Sequence, residues 1–144
     1  MMRKHSWESD LHNFLEARRP MPFAWGQNDC ALFAADAVAA VTGDDPGAAW
    51  RGTYATQTEA EALMEKSCGA PGLAAFAAWL TAQHAMAERP VLMAQRGDVV
   101  LLVNPDGSES LGIVGLNGLH ALFVTETGLR RTRVRNCTKS WKVG

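Results

Sequence analysis

The stretch PFAWGQNDC, residues 22–30, runs directly into the alanine-rich segment 31–41 and marks the point where a turn becomes a helix. The spacing predicts that Cys30 lies in the first turn of this helix, on the same stripe as Phe33, Ala37 and Val41. Unpaired backbone N–H groups and the positive end of the helix dipole favour a thiolate over a thiol at such a position. Cys30 is therefore either a prepared nucleophile on the floor of a cleft or a small, inert core residue.

The length and composition of the chain limit the classes of protein that it can form. Its 144 residues fit a single domain, and a net charge of −1 argues against a generally basic nucleic-acid binder. Three widely separated cysteines predict neither a disulfide framework nor a zinc site, and we expect no cofactor and no metal. The N-terminus is polar and no long apolar run follows, which predicts no signal peptide and no membrane insertion.

Helices are predicted in the first part of the chain and strands in the second. The predicted helices are residues 7–18, residues 30–42 with a cap at Asn28 or Asp29, a segment that runs from the capping box at 56–59 to residue 67, and residues 73–87. The predicted strands are residues 98–103, 111–116, 119–125 and 129–135. Helices followed by an antiparallel meander define an α+β fold, with residues 1–20 as a helical extension and residues 22–143 as the core.

The order of motifs resembles that of a known family. The block from Pro22 to Phe33 resembles the aromatic-x-x-Gly and Asp-Cys block of NlpC-type papain-like cysteine peptidases, and residues 96–101 (RGDVVL) resemble the block that opens their first core strand. A closer resemblance is to a phage and prophage group of small NlpC-like domains encoded among tail-tip genes. It rests on Trp25-Gly26, Asp29-Cys30, Gly43-Asp44-Asp45, Arg51-Gly52-x-Tyr54, Gly97-Asp98-Val99-Val100, Leu111-Gly112-Ile113-Val114, Gly128-Leu129 and Trp141-Lys142-Val143. The resemblance implies N-terminal helices packed on a small antiparallel sheet or half-barrel.

The resemblance also implies roles for the residues around Cys30. Cys30 would be the nucleophile, and its own backbone N–H would stabilise the oxyanion with help from the cleft residues Trp25, Gly26, Gln27 and Asp29. Active members of the family share a His-x-Gly-(Ile/Val) sequence on the second strand. Here Ser110 occupies the position of the histidine, and a serine hydroxyl has no useful proton affinity for a thiol.

The other polar residues near this site have catalytic and structural interpretations. His120 is the only histidine on the predicted sheet, so it is either a substitute base or a histidine at a strand end that bonds to solvent. Asp29 is predicted to cap its helix and Asp36 to face solvent. Asp98 is predicted to fix the turn into its strand.

A basic stripe is predicted on the last strand. Arg131, Arg133 and Arg135 alternate along it and therefore share one face. The stripe is either a charged edge that prevents aggregation or a binding face for an acidic protein surface or an anionic cell-wall polymer. No aromatic residues are interleaved with the arginines, so we expect no nucleic-acid partner.

Two functions follow from the resemblance, and a third does not depend on it. The first is a structural or assembly component of a phage tail tip or baseplate. Its partners would be other tail-tip or hub proteins, and it would lie in the host cytoplasm during assembly and then in the virion tail. The second is an active cysteine amidase or endopeptidase, a hydrolase that cleaves peptidoglycan during phage entry. The third is a small cytoplasmic binding module unrelated to phages.

Overall fold

Four helices precede a six-stranded sheet in this computed structural model, which describes residues 1–144. The helices are α1 (Trp7–Arg18), α2 (Cys30–Thr42), α3 (Gln57–Cys68) and α4 (Leu73–Gln83). The strands are β1 (Glu88–Arg89), β2 (Val99–Val103), β3 (Glu109–Val114), β4 (His120–Thr125), β5 (Gly128–Arg133) and β6 (Lys139–Trp141). Short 3-10 turns span Val91–Met93 and Val134–Asn136. The predicted α+β class is confirmed.

The sheet is antiparallel throughout, with the strand order β1-β6-β2-β3-β4-β5. Strands β2 to β5 form the predicted meander. The sequence pattern does not predict β1 and β6, because each is shorter than the alternation that identifies a strand. Strand β6 nevertheless pairs with β2, with Trp141 opposite Val99, and it separates β2 from β1.

The two faces of the sheet bury different sets of side chains. One face packs on α1 and α2, where Leu101, Leu111 and Ile113 join Phe33 and Val38 in the main core. The opposite face carries a smaller cluster covered by the two 3-10 turns, made of Val100, Val114, Ala121, Phe123, Val134 and Cys137. Alternation along each strand therefore decides which residues can reach α2 and which cannot.

Residues before α2 belong to the main core. Leu11 and Leu15 of α1 are buried in it. The Arg3 guanidinium donates to Asp98 Oδ1 at 3.1 Å, and Asp98 is fully buried. Asp98 also accepts from the backbone N–H of Gln95 at 2.9 Å, which confirms that it fixes the turn into β2. None of the four helices has the length and hydrophobicity that a membrane crossing needs.

Three elements have predicted boundaries that are wrong by two residues or more. Helix α4 ends at Gln83 instead of near residue 87, because the Thr81 carbonyl accepts the N–H groups of both His84 and Met86 and the chain turns toward β1. Ala85 in this turn has φ 56°. Strand β3 begins at Glu109, two residues earlier than predicted, and ends at Val114. Strand β5 ends at Arg133, so Arg135 lies in a 3-10 turn and does not share the face of Arg131 and Arg133.

Candidate active site

A tight turn holds the chain in front of α2. Ala24 and Asn28 form an antiparallel bridge, and the Asn28 N–H donates to the Ala24 carbonyl at 2.8 Å. Asn28 is buried, and its side-chain amide donates to the Pro22 carbonyl at 2.9 Å and accepts from Arg18 at 3.0 Å. Gly26 has φ 77°, and a Cβ there would overlap the Tyr54 carbonyl oxygen. The turn therefore needs glycine for both its backbone conformation and its close contact.

Asp29 is the cap of α2, as predicted, and the centre of a buried hydrogen-bond network. Its Oδ1 accepts from the Leu32 N–H at 3.0 Å, and its Oδ2 accepts from the Gly26 N–H at 2.9 Å. The Tyr54 hydroxyl donates to the same Oδ2 at 2.5 Å. Burial raises the pKa of the Tyr54 phenol, and the hydrogen bond to Asp29 raises it further. The carboxylate thus joins the turn, the helix and the loop that carries Tyr54.

Cys30 is the first residue of α2 and is half-buried. Burial raises the pKa of its thiol to about 11, while the backbone N–H of Leu111 lowers it and the Asp29 carboxylate raises it. At pH 7 a thiol with this pKa is ionised in about one molecule in 10⁴. The expectation that the helix N-terminus favours a thiolate is therefore wrong, because burial and the adjacent carboxylate outweigh the N–H groups around the sulfur.

Cys30 lines a cleft of about 370 Å³ between α3, the start of α4 and the turn from β2 to β3. Trp25 and Met64 supply part of its apolar wall. The other lining residues are Gln57, Ala60, Glu61, Glu65, Pro71, Gly72, Leu73, Gly107, Ser108 and Glu109. Glutamate is the only charged residue type among them. The cleft contains no histidine, lysine or arginine.

Glu109 connects this cleft to the helices. It is the first residue of β3, and its Oε1 accepts from the Ala74 N–H at 3.3 Å in the first turn of α4. Gly72 precedes α4 and has no side chain to cap it, so the carboxylate from β3 takes that role. Glu109 also has the same parity along β3 as Leu111, and both therefore point to the α2 side of the sheet.

The structure does not bring His120 to Cys30. The backbone of Leu111 lies beside the Cys30 sulfur, whereas His120 bonds to the backbone of Gly115, four residues farther along. That separation is about 13 Å at the rise of an extended strand. The His120 Nδ1 lies 2.9 Å from the side-chain nitrogen of Asn117, which holds the ring at the turn before β4.

Ser110, which stands where active members of the family have the histidine, also points away from the thiol. Ser110 pairs with Leu102, whose side chain packs on the smaller cluster of the opposite sheet face. Its hydroxyl accepts from the Asn104 side chain at 3.0 Å. His5 and His12 are exposed, and His84 lies at the C-terminal end of α4. No imidazole in the chain therefore faces Cys30 across the cleft.

The remaining predicted residues have structural positions. Trp25 lines the cleft and packs edge-on against Phe23, with ring centroids 4.7 Å apart, while Gln27 is exposed. The prediction that Asp36 faces solvent is wrong, because both of its carboxylate oxygens form ion pairs. Its two oxygens each lie 2.6 Å from a guanidinium, Arg18 on one side and Arg51 on the other. Because Arg18 also bonds Asn28, this network supports the turn before Cys30.

Sequence reasoning missed two kinds of residue at this site. Tyr54 is separated from Asp29 by 25 positions, and no local pattern predicts their hydrogen bond. Glu61 and Glu65 lie four residues apart on α3, a spacing that places them on one helix face and could have predicted a shared acidic wall. The sequence pattern predicts that this strand begins at Leu111, and it therefore does not show that Glu109 lies on the same face as Leu111.

The site thus combines a cysteine at a helix N-terminus with an acidic cleft in an α+β domain. Over residues 2–143, the chain matches a family described as Domain of unknown function (DUF6950), and it belongs to that family. No curated protein and no solved structure matches it.

Proposed function

We propose that this protein is a structural or assembly component of a phage tail tip or baseplate. In this proposal it has a papain-like NlpC-type fold whose cysteine site does not hydrolyse substrate. Support comes from the order of motifs between residues 22 and 143 and from the position of Cys30, at the start of α2 and against β3. Its partners would be other tail-tip or hub proteins, and peptidoglycan would be a second contact. It would lie in the host cytoplasm during assembly and then in the virion tail.

The absence of a base for Cys30 carries this proposal. The lining of the cleft contains glutamates and no imidazole, and the Asp29 carboxylate beside the thiol disfavours the thiolate. Neither residue considered as a base can reach the thiol. His120 is held at the turn before β4, and Ser110 points to the opposite face of the sheet. Cys30 therefore lacks the proton acceptor and the negative charge that a nucleophile requires.

An active cysteine amidase or endopeptidase that cleaves peptidoglycan is the second candidate function. One observation favours it: the backbone N–H groups of Leu111, Ala31 and Cys30 itself surround the sulfur. Donors in that arrangement could stabilise an oxyanion beside the cysteine. This function requires a base supplied by the substrate or by a partner protein.

Thiol alkylation together with peptidoglycan digestion tests the proposal. The purified protein is incubated with iodoacetamide at pH 7, and mass spectrometry measures the alkylation of each cysteine, with the urea-unfolded protein as the reference. We expect Cys30 to react roughly 300-fold more slowly in the folded protein, because its ionised fraction is lower than that of a free thiol by about that factor. Cys68, which is half-buried on α3, serves as the internal comparison.

The digestion separates the two candidate functions. We expect no release of peptidoglycan fragments by the wild type beyond that of a Cys30→Ser variant. We also expect particles that carry Cys30→Ser to assemble normal tails, and particles that lack the protein to be defective. Turnover by the wild type that Cys30→Ser abolishes would refute the structural role and establish the hydrolase.

A further inference from the structure

Strand β5 is an open edge of the sheet with an unusual concentration of charge. It is the last strand in the order β1-β6-β2-β3-β4-β5, and only β4 pairs with it. The arginines of this strand and of the turn after it are exposed: Arg130, Arg131, Arg133 and Arg135. None of them takes part in an ion pair, although other arginines of the chain do so. Four cations are thus left without a partner at one edge.

The backbone of this edge also has unused hydrogen-bonding groups. The Leu129 N–H donates to the Arg19 carbonyl at 3.0 Å, so it points away from β4. In an antiparallel pair, the backbone groups of every second residue point to the same side. The N–H and C=O groups of Arg131 and Arg133 therefore also point outward, while Arg130 and Thr132 bond to β4. The Arg19 carbonyl covers only the beginning of the edge.

The charges near the open edge do not neutralise it. His120 lies directly opposite Arg133, and β4 contains no acidic residue. Glu126, in the turn between β4 and β5, is the single carboxylate of this hairpin. The surface that surrounds Arg131 and Arg133 is therefore positive, and it would attract a negatively charged chain.

One role of arginines on an edge strand is to prevent edge-to-edge pairing. Repulsion excludes another positive strand, whereas the same charges attract an acidic one. The same edge can therefore resist self-pairing and still select an acidic partner. The outward backbone groups provide affinity for an extended segment, and the arginines on both faces of β5 provide selection among such segments.

We propose that the open edge of β5 binds an extended acidic segment of a partner protein, which adds to the sheet as a seventh strand beside Arg131 and Arg133. Glutamate or aspartate side chains of the added strand would lie across from the arginines, where opposite charges stabilise a cross-strand pair. This inference goes beyond the tail-tip assignment, because it concerns the edge strand and not the Cys30 cleft.

A synthetic peptide of alternating glutamate and threonine tests the proposal on the full chain at low salt. We expect it to bind, to slow amide exchange at Arg131 and Arg133 at least tenfold, and to leave the Arg130 and Thr132 amides nearly unchanged. The double variant Arg131→Gln, Arg133→Gln should weaken binding about tenfold. Lys66→Gln, which removes one charge from α3, should not change it. A peptide of glutamine and threonine should bind more weakly than the acidic one.

The backbone contribution is measured by comparing Arg131→Pro with Arg131→Gln. Both remove the charge, but only proline removes the outward N–H, and it breaks no bond to β4. We expect Arg131→Pro to bind the peptide several-fold more weakly, with an unchanged circular dichroism spectrum. Failure of the acidic peptide to bind, or binding without protection of the Arg131 and Arg133 amides, would overturn the proposal. Equal binding of polyglycerol phosphate without such protection would instead define a general anion surface and would also overturn it.

Discussion

The substitution Tyr54→Phe tests the network that holds the turn before Cys30. It removes one hydroxyl, which donates to Asp29 Oδ2 at 2.5 Å in a buried site. The ring remains, so the packing around it is preserved. Asp29 keeps its bonds to the Gly26 and Leu32 N–H groups. The measured change in the free energy of unfolding therefore reports mainly the Tyr54 hydrogen bond.

The expected loss follows from the charge of the acceptor. A hydrogen bond to a buried charged group contributes about 1.5–3 kcal/mol, more than a bond between neutral groups. For a chain of this length that loss lowers the melting temperature by roughly 4–10 °C. Urea denaturation of Tyr54→Phe and the wild type, followed by circular dichroism, measures the difference.

Burial of Tyr54 and its hydrogen bond to Asp29 together predict a pH dependence of stability. The pKa of Tyr54 is raised in the folded protein, so folding favours the neutral phenol. The stability from this group is fully present below the unfolded pKa of about 10 and is lost as the pH rises above it. The raised pKa values of Cys30 and Cys137 act in the same direction from about pH 8.5 upward, and both thiols remain in Tyr54→Phe. The Tyr54 contribution is therefore the difference between the two proteins.

Tyr54 is the single tyrosine of the chain, so tyrosinate absorbance reports it directly. We expect the folded wild type to show no tyrosinate until alkaline unfolding begins. A double-mutant cycle with Asp29→Asn should give a coupling energy of at least about 1 kcal/mol, since the bond can be lost only once. Equal stability of Tyr54→Phe and the wild type, or an ordinary tyrosine titration in the folded protein, would refute the network.

Three further substitutions test other parts of the site. Gly26→Ala should destabilise the protein by about 2 kcal/mol or more in urea denaturation, because φ is 77° and the new Cβ overlaps a carbonyl; an unchanged midpoint would contradict the turn geometry. Asp36→Asn should cost about 1–2 kcal/mol, and the cost should decrease in high salt, because its arginine partners are partly exposed. Asp98→Asn should cost about 1.5–3 kcal/mol, because it removes the charge from a fully buried acceptor of the half-buried Arg3 guanidinium and of two backbone N–H groups, and a loss below about 1 kcal/mol would refute that role.

The sequence was sufficient for those elements whose signals are local. Helix α2 begins after Asp29 and ends before Gly43, and α3 follows the cap at Thr56, as the residue types alone predict. The four strands of the meander were also located, with boundary errors of one or two residues. Strand β6 could not be predicted, because its three residues are held by pairing with β2 and not by their own pattern.

The chemistry of the site could not be predicted because it depends on contacts between distant segments. A cysteine at a helix N-terminus has a lowered pKa only when the surrounding atoms leave it polar. Here β3 packs against the thiol, and the cap residue places a carboxylate beside it. The helix signal was correct, and the protonation state inferred from it was wrong, since burial is a property of the whole fold.

The Asp29 carboxylate stabilises the turn before α2 and at the same time makes the Cys30 thiol less reactive. Asp29 accepts from the Tyr54 hydroxyl and from two backbone N–H groups, and the same carboxylate raises the pKa of the neighbouring thiol. An asparagine there would remove the charge and favour the thiolate, but it would leave the Gly26 N–H without a good acceptor in a buried turn. In a hydrolase with the same carboxylate, a nearby imidazolium would offset its charge and stabilise the thiolate. The walls of this cleft carry glutamates and no histidine, lysine or arginine, so no cationic side chain of the cleft offsets the effect of Asp29 on the thiol.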